Sequence, residues 1–408
     1  MRTTTQILSL GTYERDYPRN SLTIAALRGA GFDVVEIHAP VWGAAHDKTT
    51  LLRSPGALLR LGLNLLRAYT GLTVRTLRRI GHADIVMFGY IGQLDVLVLG
   101  PALRLLGKPV VFNPLITLTD TLIDDRRAFA PGGVAARLIR LIDRLALLLA
   151  NVILVDTAEN GAYLTEQFGI NPERIHVVPV GADEALFSAN RSAIDVDDPA
   201  MPPLSRNSNS PPGGRDLDVL FYGNMIPLQG VDTIVRAARL LRGDDVRFEI
   251  IGTGQTLDEA RALAVELGTD NIDWVGRVPY VELPRRIARA DVVLGIFGDT
   301  AKAARVVPNK VYQAMAMGAA IVTRDSSAPR SMLTDGVSTL LVPPADPEAL
   351  ADAIRRLRDS ELRARLGAAA NWNFIERASL FVQSERLRDA LGMIVLPVTG
   401  QPSESVLS

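Results

Sequence analysis

Short apolar runs alternate with amphipathic segments along most of the chain. In the first half, runs rich in Val, Ile and Leu predict strands at residues 6–10, 33–38, 84–88, 109–113, 152–156 and 174–178. Residues 21–30, 93–106, 134–150 and 158–168 between them have helical patterns. Repeated strand–helix order predicts a parallel sheet that helices cover on both faces.

The same alternation starts again near residue 217, after a break in composition. Residues 188–216 are rich in Pro, Ser, Asn and Gly and predict a flexible linker. We therefore expect two doubly wound, Rossmann-like α/β domains facing a cleft, at 1–187 and 217–375. A C-terminal helix at 376–394 could return to the first domain, and 395–408 is expected to be a disordered tail. Ligands of such sheets bind at the carboxyl ends of the strands.

The stretch 291–323 gives the clearest indication of a ligand-binding site. An apolar strand at 291–297 precedes a polar loop that holds Lys302, Arg305 and Lys310. Pro308 and Asn309 close the loop, Asn309 is the expected N-cap, and the helix 310–317 ends before another strand at 319–323. Cations at a helix N-terminus favour an anion, so we expect a diphosphate site. The alternative is that these charges only face water.

Glycines follow the predicted strands of the second half, where a ligand could approach the backbone. They are Gly223, Gly252, Gly254 and Gly276. Gly252 and Gly254 suggest a dinucleotide fingerprint, but Leu257 stands where its third glycine belongs. A dehydrogenase is therefore a weak alternative.

Composition narrows the classes of protein. The 408 residues carry a net charge of −1, so nothing global attracts nucleic acid. The absence of cysteine excludes disulfides and thiol catalysis and fits a reducing, cytoplasmic compartment. The apolar part of the N-terminus is too short for a signal peptide. The sequence contains no run of about 18 uncharged apolar residues, so no membrane-spanning helix is expected.

The second half resembles the nucleotide-sugar domain of glycosyltransferase family 4, whose fold is termed GT-B. The resemblance rests on FYGNMIPLQGVDTIVRAARLL, FEIIGTGQ, IDWVGRVPYVELPRRIARADVVLGIF, NKVYQAMAMGAAIVT and MLTDGVSTLLVPPADPEALADAIRRL, in the family's order. It implies a UDP-, GDP- or dTDP-linked sugar donor and transfer with retention of configuration. Lys310 and Arg305, as cations beside the expected diphosphate site, are the predicted catalytic residues. The expected substrate-binding residues are Gly11, Asp120, Gly223, Asn224, Gln229, Gly252, Gly254, Gly276, Arg277, Val278, Asp299, Lys302, Asn309, Val311 and Gln313.

Several positions depart from the family. Its two glutamates, eight residues apart, are replaced by Arg305 and Gln313. Asn224 and Gln229 are neutral where an Arg and a Lys commonly contact the diphosphate, so the cationic role would move to Lys302, Arg305 and Lys310. A family histidine of the first domain is replaced by Asn113. The chain's own histidines, which do not fit that place, are His38, His46, His82 and His176.

The acidic run 120–125 follows a first-domain strand, and Asp120 could orient the acceptor. A solvated loop with a helix cap is an equally good interpretation. No metal or other cofactor is expected. The Asp-x-Asp pattern of Asp195 and Asp197 falls in the linker, which would not preorganise an ion, and that of Asp216 and Asp218 leads into a buried strand.

Residues 51–80 contain six arginines and no acid, and Arg53, Arg60 and Arg67 share one helical face. Arg137, Arg140 and Arg144 form a second basic face. Such surfaces can lie on an anionic membrane, which would suit a lipid-linked acceptor. The alternative is an ordinary helix packed on the sheet with its arginines in water.

The sequence thus predicts a cytoplasmic, retaining glycosyltransferase, peripheral on the membrane and acting in polysaccharide biosynthesis on a sugar or lipid-linked acceptor. Two alternatives stay open because a fold does not fix a function. One is a nucleotide-sugar-binding protein of the same fold without transfer, and the other is a nucleotide-sugar epimerase.

Overall fold

Two six-stranded parallel sheets, each covered by helices, form the two domains of the computed structural model, which describes residues 4–41, 55–189 and 217–395. The predicted fold class is therefore confirmed. Residues 190–216, which are most of the predicted linker 188–216, lie outside the described residues. So do the tail beyond 395, His46, Arg53 and the pair of Asp195 and Asp197.

The first sheet has the strand order β2-β1-β3-β4-β5-β6. Its strands are β1 (Gln6–Gly11), β2 (Asp33–His38), β3 (Ile85–Phe88), β4 (Val110–Phe112), β5 (Val152–Val155) and β6 (Ile175–Val177). The central strands β3, β4 and β5 are buried at every position, which explains their continuous apolar sequence.

Its helices are α1 (Pro18–Gly29), α2 (Pro55–Arg79), α3 (Gln93–Leu105), α4 (Val134–Leu149) and α5 (Ala158–Phe168), with a π-helical turn at Asp120–Asp125 between β4 and α4. Helix α2 runs unbroken through Gly62 and Gly71. Pro55 is its first residue, where the missing N–H costs nothing.

The second sheet has the order β12-β11-β10-β7-β8-β9. Its strands are β7 (Leu217–Tyr222), β8 (Val246–Ile251), β9 (Ile272–Val275), β10 (Val292–Leu294), β11 (Ala320–Arg324) and β12 (Leu340–Val342). Its helices are α6 (Val231–Leu240), α7 (Leu257–Glu266), α8 (Leu283–Arg289), α9 (Ala301–Arg305), α10 (Asn309–Ala316), α11 (Ser327–Met332) and α12 (Pro347–Arg356).

Two helices follow at the C-terminal end of the described residues, α13 (Ser360–Ala378) and α14 (Leu380–Val395). Helix α13 packs on α10 of the second domain, whereas α14 packs on α1 of the first. Leu387 and Leu391 of α14 are buried in one cluster with Ile24 and Leu27 of α1. The last helix is therefore part of the first domain's core.

The stretch 291–323 differs from expectation in three details. Strand β10 ends at Leu294, because the main chain then turns and the Phe297 N–H donates to the carbonyl of Gln229 at 3.0 Å. The expected polar loop contains helix α9, which Thr300 caps through the Ala303 N–H. The prediction that Asn309 caps the next helix is wrong: Pro308 occupies the cap position in extended conformation, and Asn309 is the first helical residue.

Candidate functional site

Lys310 lies at the carboxyl edge of the second sheet, in the first turn of α10. Only 5% of its surface is exposed. Its Nζ donates to Oε1 of Gln229 at 2.6 Å and to the carbonyl of Gly295 at 3.2 Å. It also lies 3.6 Å from the centre of the Phe221 ring. Burial holds the pKa of Lys310 well below its usual range.

Lys310 makes no ion pair within the described part of the chain. Its positive charge is balanced only by an amide oxygen, a carbonyl and an aromatic face. An anion at this edge of the sheet would therefore find a cation that carboxylates have not already neutralised.

Three of the predicted glycines pack the loops of the site closely together. Gly252 and Gly254 have φ of +137° and +152°, and a Cβ at Gly252 would lie 1.9 Å from the carbonyl oxygen of Gly223. A Cβ at Gly223 would lie 3.3 Å from Nζ of Lys310. The loops after β7 and β8 can approach each other and Lys310 only because these positions are glycine. Gly276 is different, since it is exposed and has open space around it.

Gln313, at one of the replaced glutamate positions, lies between two tyrosines. Its Oε1 accepts a hydrogen bond from Tyr222 Oη at 2.8 Å, and its Nε2 donates to Tyr280 Oη at 3.0 Å. Tyr222 is buried, whereas Tyr280 is 37% exposed. The amide is thus held rigidly, with Tyr280 as its neighbour towards solvent.

The remaining predicted donor-side residues surround this edge. Asn224 and Arg277 are both exposed and joined by a 3.2 Å hydrogen bond from Arg277 Nη2 to Asn224 Oδ1. Asp299 is exposed, and Val278 and Asn309 are half-buried. Val311 is 1% exposed, so its side chain belongs to the core.

Lys302 and Arg305 do not join Lys310. Both lie on α9 and reach across to the first domain, where Arg305 Nη2 contacts Asp120 Oδ1 at 2.5 Å. Lys302 Nζ lies 3.5 Å from Asp120 and 3.9 Å from Asp125. The expected cluster of three cations is thus divided, because two of them are paired with first-domain carboxylates.

Asp120 is 2% exposed, so the interpretation of 120–125 as a solvated loop is wrong for this residue. Gly11, the last residue of β1, is also in the first domain, and a Cβ there would lie 2.4 Å from an Asp95 carboxylate oxygen. Asn113 does not take the place of a catalytic histidine, since its side chain accepts from Arg19 and donates to Thr23 in the core.

Sequence reasoning missed four aromatic residues around the site. Phe221 and Tyr222 end strand β7, Tyr280 follows β9, and Tyr163 of α5 lies 4.2 Å from the guanidinium of Arg305. A signal was present for the first two, because aromatic side chains commonly line ligand pockets and these two stand directly before Gly223 at a strand end. Tyr163 gave no signal, since its contact depends on how the two domains meet.

One exposed surface of the first domain is unusually apolar. Helix α4 presents Val134, Leu138, Leu141, Leu145 and Leu148, each at least 40% exposed, along one helical face. Arg137, Arg140 and Arg144 are exposed beside these residues on α4. Arg60 and Arg67 are exposed on α2. None of the described helices is both long enough and apolar enough to cross a bilayer.

Comparison with known proteins agrees with this architecture. A family described as "Glycosyl transferases group 1" matches residues 216–360. A D-inositol 3-phosphate glycosyltransferase of Nocardioides is 27% identical over 391 residues, which cover 88% of this chain and 75% of the relative. One from Frankia alni is 29% identical over 259 residues, 59% of this chain, so that the chain spans only 57% of that relative's length.

Among solved structures, the Anabaena protein HepE in complex with UDP and glucose superposes with a TM-score of 0.62. The superposition covers 95% of this chain and 99% of HepE at 14% identity. Two Rossmann-like domains meeting in this way define the GT-B fold. Over residues 216–360, the second domain matches the family model of the group 1 glycosyltransferases.

Proposed function

We propose that the protein transfers a sugar from a nucleotide-diphosphate sugar to an acceptor, with retention of configuration. The observation that carries this proposal is Lys310, a buried cation without a carboxylate partner among the described residues, at the glycine-lined edge of the family's donor domain. The HepE complex, which contains UDP and glucose, supports UDP-sugars as the first donors to test.

Leaving-group stabilisation is the central chemistry of the proposal. Negative charge grows on the diphosphate as the sugar–phosphate bond breaks, and Lys310 would meet that charge in an environment largely without water. The N–H groups of the first turn of α10 point to the same region and favour an anion. In a retaining reaction without an enzyme nucleophile, the departing phosphate accepts the acceptor's proton on the same face of the sugar.

A sugar or a lipid-linked polysaccharide precursor is the proposed acceptor. The apolar face of α4 and its flanking arginines support peripheral association with an anionic membrane. Arg60 and Arg67 of α2 are further exposed cations of the first domain that could contact anionic lipid. The acceptor would then reach the cleft from the membrane surface.

Calorimetry with UDP, GDP, dTDP and their sugars tests donor binding. Incubation of the bound donor with and without a membrane extract, followed by product analysis, separates the alternatives. Sugar transfer or slow donor hydrolysis supports a transferase. Recovery of an epimerised donor supports an epimerase, and binding without turnover supports a protein that only binds nucleotide sugars. Failure of every nucleotide to bind would refute the proposal.

A further inference from the structure

Arg305 is held almost entirely by the first domain, although it belongs to the second. Its guanidinium contacts Asp120 at 2.5 Å and lies over the ring of Tyr163 at 4.2 Å. Its main-chain carbonyl accepts a hydrogen bond from Thr157 Oγ1 at 2.6 Å. Arg305 thus occupies a family glutamate position but contacts the opposite side of the cleft.

Lys302, one helical turn earlier, makes the same crossing. Its side chain is 6% exposed, and Nζ donates to Thr121 Oγ1 at 3.1 Å. It is also within 4 Å of the carboxylates of Asp120 and Asp125. Burial raises the pKa of Asp125, and Lys302 opposes that rise.

These four charges form two cations on one domain and two carboxylates on the other. The group is close to neutral as a whole, so in this arrangement it offers no net attraction to an incoming diphosphate. A diphosphate could use Lys302 and Arg305 only if the carboxylates withdrew. Withdrawal requires the turn Asp120–Asp125 to separate from α9, and this pair of segments is one of the contacts between the two domains.

We propose that Asp120, assisted by Asp125, is an internal competitor of the donor: its carboxylate occupies Lys302 and Arg305 until the donor's diphosphate displaces it. The inference rests on the proposed donor class. The contact of Lys302 and Arg305 with Asp120 and Asp125 is then a latch between the domains. Release of this latch is coupled to donor binding. Reciprocity of coupling requires that weakening the latch strengthens diphosphate binding.

The test compares UDP and inorganic diphosphate binding to the wild type and to Asp120→Asn. The matched control is Asp218→Asn, because the pair of Arg247 and Asp218, 3.1 Å apart, lies within the second domain. Asp120→Asn is expected to tighten UDP binding at least about fivefold, a coupling typical between linked sites. Asp218→Asn should leave the affinity unchanged.

Removal of both cations tests whether the gain in UDP affinity depends on Lys302 and Arg305. In an Arg305→Gln and Lys302→Gln background, the further change Asp120→Asn is expected to give no gain in affinity. The proposal would be overturned if Asp120→Asn bound UDP no more tightly than the wild type while it melted at or above the temperature of Asp218→Asn, which shows that it is folded. An equal gain in UDP affinity from Asp120→Asn in the wild type and in the Lys302→Gln, Arg305→Gln variant would also overturn it.

Small-angle scattering tests the latch without any donor. Asp120→Arg places three cations together, and the ligand-free protein should show a larger radius of gyration than Asp218→Asn. An unchanged radius in a variant that remains folded by circular dichroism would overturn the latch. If no nucleotide binds the wild type while Asp120→Arg still expands, the latch is retained and the proposed donor is refuted.

Discussion

Nζ of Lys310 and Oε1 of Gln229 are 2.6 Å apart, and their contact joins helix α10 to the loop that follows strand β7. The neutral amide of Gln229 accepts a hydrogen bond from the ammonium group and leaves its positive charge uncancelled. The loop that commonly supplies cations to the diphosphate in the family thus orients a cation from elsewhere.

Replacing Lys310 should impair turnover more than ground-state nucleotide binding, because charge on the leaving group grows in the transition state. Lys310→Met keeps much of the side-chain volume, and we expect a fall in turnover of roughly a hundred- to a thousandfold. Lys108→Met is a suitable control, since Lys108 donates to Ala83 far from this edge. Arg305→Ala should be milder than Lys310→Met. A loss of less than about tenfold in folded Lys310→Met would place the diphosphate elsewhere.

Donor affinity should fall as pH rises. Burial lowers the pKa of Lys310 in the free protein, and a bound diphosphate would raise it again. At a pH between the pKa of Lys310 in the free protein and its pKa in the complex, binding of the diphosphate takes up a proton. Affinity is therefore greatest below the pKa of the free protein and declines as the pH rises above it. Calorimetry of UDP binding in buffers of different ionisation enthalpy measures that uptake. Lys310→Met should abolish it, and an equal uptake in that variant would assign it to another group.

Gly252 should be required for the fold and Gly276 should not. Gly252→Ala places a side chain at φ +137° against the Gly223 carbonyl, which should cost at least about 1–3 kcal/mol of unfolding free energy. Gly276→Ala meets open space and should change stability by no more than about 0.5 kcal/mol. Denaturant unfolding of both variants checks this. A weaker UDP affinity in the stable Gly276→Ala would also indicate that the donor packs against that loop.

Liposome flotation should depend on the apolar face of α4. The triple change Leu138→Gln, Leu141→Gln and Leu145→Gln removes three exposed leucines of one face and should abolish flotation with anionic liposomes at low salt. The control is Val265→Gln with Leu240→Gln, two exposed apolar residues of the second domain. Neutral liposomes should bind less, since the arginines contribute through charge. Absence of the wild type from both vesicle fractions would refute membrane association.

UDP binding should not require a metal. The proposal assigns the positive charge that meets the diphosphate to Lys310, whose Nζ contacts Gln229 at the edge of the second sheet. Calorimetric affinity for UDP should therefore be retained in EDTA. Complete loss of binding in EDTA, restored by added Mg²⁺, would contradict this prediction.

The sheets and their order of elements were predictable because each βα unit carries its own signals. Apolar runs such as Val152–Val155 and stops such as Gly169 depend only on neighbouring residues. The helix of Lys310 was predictable for the same reason. The N-cap of this helix was not predictable. Asparagine is preferred at N-caps, but Pro308 takes that position because its fixed φ suits the residue before a helix.

The partners of Lys302 and Arg305 could not be predicted. Asp120 lies 185 residues from Arg305 in sequence, and nothing local to either residue specifies the contact. It forms only because two independently encoded sheets meet with these edges opposed. The same limit applies to Gln313, whose neighbours Tyr222 and Tyr280 come from two other loops.

The position of α14 has a consequence for biosynthesis. Leu387 and Leu391 complete a core whose other members begin at Ile7, so that core spans nearly the whole described sequence. During translation, the first domain has emerged from the ribosome long before the helix that covers α1 exists. The second domain, in contrast, has all of its strands by Val342. We therefore expect the first domain to expose part of its apolar core during synthesis until α14 has been made.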